Sequence, residues 1–73
     1  MFYYRISHIC NRIAMDAEFM SVVTIYKEYL KEIPVLFRGM ALKDVRREME
    51  RRGHCVIDDP FAKETMFSVY KRE

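Results

Sequence analysis

From Ile9 to Glu32 the chain has no glycine or proline, and Pro34 then interrupts it. Nothing between those points offers the backbone freedom or the missing donor that usually breaks regular structure. The apolar spacing over this stretch predicts a helix. Its N-cap would be Ser7 or Asn11, and its end would fall just before Pro34. At about 1.5 Å per residue such a helix would be roughly 36 Å long, more than a small core needs. Residues 2–8 (Phe-Tyr-Tyr-Arg-Ile-Ser-His) fit a short strand or the frayed start of the helix.

Two apolar stripes run along this helix. One is Ile9, Ile13, Ala17, Met20, Val23 and Leu30. The other is Met15, Phe19, Val22, Tyr26, Tyr29 and Ile33, spaced 4-3-4-3-4 like a heptad seam. A helix apolar on two sides must bury both. One side would cover the chain's own core, and Met15, Phe19, Val22, Tyr26 and Tyr29 would join two subunits in a homodimer. The alternative is a break near Asp16 or Ser21 that folds two short helices onto one another.

Beyond Pro34, Val35 to Phe37 is a connector that could lie extended. Met40 to Arg52 reads as a second, shorter helix with Leu42, Val45 and Met49 buried and Ala41 flanking. Gly53 suits the position just past its end, where positive φ is common. The remainder reads as a β-hairpin. His54–Asp58 and Thr65–Lys71 would be its strands, and residues 58–64 its acidic connection. The fold class expected is α+β in one domain, residues 1–73, with a long N-terminal helix, a short second helix and a C-terminal hairpin. At 73 residues a lone core is marginal, a further reason to expect pairing.

Composition narrows the function classes. With 51% hydrophobic and 33% charged residues the chain belongs with globular proteins. No apolar run approaches the roughly 20 residues of a membrane span, and the N-terminus lacks a secretory pattern. Two cysteines are too few for a disulfide framework, so a reduced, cytoplasmic protein is expected. Net charge is only +2, but residues 38–52 carry six basic groups against three acidic ones, a local +3. On a helix, Lys43, Arg47 and Arg51 fall on one side at i, i+4, i+8, opposite the apolar stripe, with Arg46 at its edge. Such a row suits phosphates, and arginine also reads guanine edges. A solvated face neutralised by Asp44, Glu48 and Glu50 is the plainer alternative.

The run Leu42-Lys43-Asp44-Val45-Arg46-Arg47-Glu48-Met49-Glu50-Arg51-Arg52-Gly53-His54-Cys55-Val56, followed by Phe67-Ser68-Val69-Tyr70, resembles the second half of a winged helix–turn–helix domain. The likeness covers about 32 residues. It implies a recognition helix leading into a wing, and a double-stranded DNA partner met by Lys43, Arg46, Arg47, Arg51 and the loop's Lys63. The family's middle helix has no room between Pro34 and Gly39. The loop's Asp58, Asp59 and Glu64 would repel phosphate and, with Phe61, suit a larger protein partner instead.

Other chemistry ranks low. His8-x-Cys10 and His54-Cys55 have zinc stoichiometry, but neighbours in a strand point to opposite faces, so no metal or cofactor is expected. Cys55, His54 and Asp58 lie too close in sequence for nucleophilic geometry. Gly39 and Gly53 stand alone, so no phosphate loop exists. No enzyme activity and no small-molecule substrate are expected. Phe2, Tyr3 and Tyr4 would cover the long helix or a partner subunit rather than stack on bases.

Overall fold

The computed structural model describes residues 2–58, 61 and 67–73. Helix α1 spans Phe2–Met20, strand β1 Val22–Ile25, helix α2 Arg38–Arg51, strand β2 Val56–Ile57 and strand β3 Phe67–Tyr70. Two 3-10 turns, Lys27–Leu30 and Val35–Phe37, lie between β1 and α2. The fold is α+β, with an antiparallel sheet in the order β1-β3-β2.

The expected helix over 9–32 is corrected. Residues 2–8 belong to α1, and α1 stops at Met20. Ser7 and Asn11 are therefore helix-interior residues, not caps. The stop is made at Ser21, whose φ is 73°. Its N–H donates to the Ala17 carbonyl at 2.9 Å, the single bond of a left-handed helix cap. Beyond it come four β-branched residues, Val22, Val23, Thr24 and Ile25. Their stiff side chains favour extended backbone, and sheet pairing supplies the rest. A serine held at positive φ costs about 1 kcal/mol relative to glycine. Ser21→Gly is therefore expected to raise stability by about 0.5–1 kcal/mol in urea unfolding, and Ser21→Val to lower it. Equal midpoints for all three would refute this account of the stop.

β1 joins β3 with Val22 opposite Tyr70 and Ile25 opposite Phe67, and β2 joins β3 from the other side with Val56 opposite Val69. Val23, Ile25, Phe67 and Val69 turn inward. They meet Ile6, Ile9, Cys10, Ile13 and Ala17 of α1, and Ala41, Val45 and Met49 of α2. Leu30 and Ile33 plug the core between β1 and α2. The stripe of α2 is thus Ala41, Val45 and Met49, with Leu42 only partly buried. Met20, expected inside, is exposed.

α2 ends as the sequence implies. Gly53 has φ 95°, and the Gly53 and His54 N–H groups donate to the Glu50 and Met49 carbonyls, each at 3.0 Å. This is a Schellman closure, in which glycine takes the left-handed position. The hairpin follows, with strands shorter than expected. The expected strand residues Thr65 and Met66, and loop residues 59, 60 and 62–64, lie outside the described residues. Val35–Phe37 forms a 3-10 turn instead of a strand.

Candidate nucleic-acid interface

The buried stripe of α2 fixes which side faces out. One hundred degrees per residue carries Lys43, Arg47 and Arg51 away from Ala41, Val45 and Met49. All three are exposed. The Arg47 side chain keeps 80% of its accessible area and Arg51 71%. Arg47 sits 3.7 Å from Asp44, and Arg51 donates to both Glu48 oxygens, at 2.8 and 2.6 Å. The Arg47–Asp44 pair, exposed on both sides, is worth little and exchanges readily for another anion, whereas Arg51 is held by two bonds to a half-buried carboxylate.

The other arginines of the segment also have partners within the chain. Arg46 donates to Asp58 at the root of the hairpin and lies 3.5 Å from Glu50. Asp58 is thereby paired with α2 while its side chain stays exposed. Arg52 donates to Glu48 at 2.8 Å and to the Asn11 side-chain oxygen of α1 at 2.9 Å. Arg38 turns back from the start of α2. Its Nε donates to the Leu30 and Ile33 carbonyls at 3.1 and 2.9 Å, and its other terminus reaches Lys31 O at 3.5 Å. Arg5 donates to Glu32 O at 2.6 Å. Of the +3 counted from sequence, the outward share rests on Lys43, Arg47 and Arg51. Lys63 lies outside the described residues.

Glu48 organises the C-terminal end of this face. Hydrogen bonds from Arg51 first, then Arg52, hold its carboxyl well down, at about 2 against an ordinary 4.5. A depressed carboxyl contributes stability that is complete above its unfolded value and is lost as pH falls through its folded one. Glu48→Gln is therefore expected to flatten the acid limb of the stability curve between about pH 4.5 and 2. An unchanged limb would show that Glu48 does not carry it.

The five residues expected to form a helical dimer seam are not on one helix. Met15 and Phe19 project from α1, Phe19 with 92% exposure, while Val22 lies on β1 and Tyr26 follows it, both partly exposed. Tyr29 sits in a 3-10 turn, donates to Asp16 at 2.9 Å and lies under Arg12, 5.5 Å from the ring centroid. Met15 and Phe19 instead border an open groove of about 480 Å³, closed on its far side by Arg52, His54 and Arg72.

The remaining chemistry-bearing residues are dispersed. His8 is exposed while Cys10 is buried, and no group of three metal-ligating side chains occurs among the described residues. Burial pushes the Cys10 thiol up to about 11. Cys55 is exposed, and both cysteines are free. His54 is buried and donates from Nδ1 to Tyr70 O at 2.8 Å, while Asp58 is taken by Arg46. Neither orienting bond of a Cys55–His54–Asp58 set is present. The side chains of Phe2, Tyr3 and Tyr4 lie outside the described residues. Among the described residues, no helix is long and apolar enough to cross a membrane. Comparison of the chain with protein-family models, curated proteins and solved structures finds no match.

Proposed function

We propose that this chain is a small cytoplasmic DNA-binding regulator of winged-helix type that lays the outer face of α2 along a duplex. The observation that carries the reading is the exposed row Lys43, Arg47, Arg51, three cations one turn apart. The element order supports it as well. A strand precedes the basic helix, a glycine turn follows it, and the ensuing hairpin returns to pair with that strand. Two 3-10 turns lie between that strand and α2. Lys43, Arg47 and Arg51 meet phosphates, with Arg47 free to reach a base edge. Arg46, held by Asp58, props the hairpin against α2. No cofactor enters and no reaction follows.

The test is affinity for random-sequence duplex DNA across a salt series. Three phosphate contacts predict a slope of log affinity against log salt of about −2.7. Absence of retention at low salt would remove the reading. It would leave a second one, a protein-binding adaptor or inhibitor. That alternative is favoured by the exposed run Val35, Leu36 and Met40 at the foot of α2, where Leu36 keeps 90% exposure.

A further inference from the structure

We propose that β1 is the seam of a homodimer, its outer edge pairing antiparallel with β1 of a second copy to join two three-stranded sheets into one. This stands apart from the nucleic-acid reading and does not depend on it.

Alternation of hydrogen bonding identifies the outer edge. Lys71 N–H donates to Ser21 O at 2.8 Å, and Tyr70 N–H donates to Cys55 O at 2.9 Å. Residues 71, 69 and 67 therefore bond toward β1, and 70 and 68 bond toward β2. It follows that Val23 and Ile25 exchange bonds with β3. The N–H and C=O groups of Val22 and Thr24 point away from the sheet. Among the described residues no strand pairs β1 on that side, and no other backbone or side-chain hydrogen bond engages Val22 or Thr24. A strand edge of this kind is a template for another strand.

Three features select a second copy as the occupant. First, the edge is self-complementary. A two-fold axis at Val23 sets Val22 opposite Thr24 of the second copy, and both residues present outward donors and acceptors. Second, a short strand, lysine, proline or a bulge usually keeps an edge single. Val22–Ile25 is short, at four residues, but holds no lysine, proline or bulge, and the outer face beside it (Val22, Thr24, Ser68, Tyr70 and Ile57) carries no charge that would repel its own copy. Third, the flanks of the edge are apolar and open. Met20 stands before it and Tyr26 after it, both exposed in the single chain.

Sedimentation of the full chain, without DNA, reads the outcome over a roughly thousandfold concentration range. Wild type is expected to approach twice 8.9 kDa. Val22→Lys combined with Thr24→Lys sets lysines opposite one another and is expected to raise the dimer dissociation constant at least about a hundredfold. Val22→Glu combined with Thr24→Lys sets opposite charges across the same axis and is expected to restore pairing. Both positions point outward, so melting curves of the diluted variants should match. Thr24→Pro removes only an outward N–H and should also yield monomer. A wild type that stays monomeric throughout overturns the proposal. So does a double-lysine variant as dimeric as wild type, or an edge that accepts only a foreign extended peptide.

Discussion

Replacing Lys43, Arg47 and Arg51 together by alanine is expected to lower affinity for duplex DNA about a hundredfold at ~0.15 M salt, and to flatten the salt dependence nearly completely. Each lysine or arginine that neutralises a phosphate releases about 0.9 counterion, so the three contacts account for the slope as well as the affinity. The folded chain should tolerate the change. All three side chains project from α2 opposite Ala41, Val45 and Met49, and alanine is the best helix former. Glu48 loses Arg51 but keeps Arg52. Melting temperature should therefore move by no more than a few degrees. Arg46→Ala makes the informative contrast, because Arg46 is engaged by Asp58 and Glu50. It should weaken the hairpin's attachment more than it weakens DNA. If the triple variant binds as wild type does, the basic row is a solvated face and the adaptor reading takes precedence.

The C-terminal half of the fold was readable because its signals are local. Gly53 marks the end of α2 through a backbone angle that glycine alone takes cheaply, and Val45 and Met49 mark its inner side by spacing. The N-terminal half was misread because a periodic pattern ran through a break. The 4-3-4-3-4 spacing from Met15 to Ile33 crosses Ser21, a residue with no special claim to positive φ. It also crosses β1, whose pairing partner Phe67–Tyr70 is more than forty residues away. The one local sign of that strand was four β-branched residues in succession. The candidate site divided in the same way. Helix spacing placed Lys43, Arg47 and Arg51 on one outward face. It could not show that Arg38 and Arg46 serve the fold, since their partners, the Leu30 and Ile33 carbonyls and Asp58, are brought near by tertiary structure.

Arg38→Met is expected to be among the most destabilising changes at any charged position of the chain, at about 2 kcal/mol. The link between β1 and α2 has no regular ladder to satisfy its backbone. Leu30 and Ile33 are nonetheless driven into the core, and their carbonyls are part-buried. Arg38 takes up both of them and reaches the exposed Lys31 carbonyl as well. One planar guanidinium can serve several acceptors because its donors are fixed in a fork, and a charged donor bond is worth about 1.5–3 kcal/mol, more than a neutral one. Methionine keeps the aliphatic stem and removes every donor, so the loss reports the bonds more than the packing. For a chain of this size, about 2 kcal/mol corresponds to a fall in melting temperature of roughly 8–16 °C. Lysine, with one compact ammonium, should recover only part of it. The same variant separates the two roles assigned to the basic segment. If Arg38 is a clasp, Arg38→Met lowers the melting temperature and leaves the salt slope for DNA unchanged. If it meets phosphate, the slope falls by about 0.9 while the melting temperature holds.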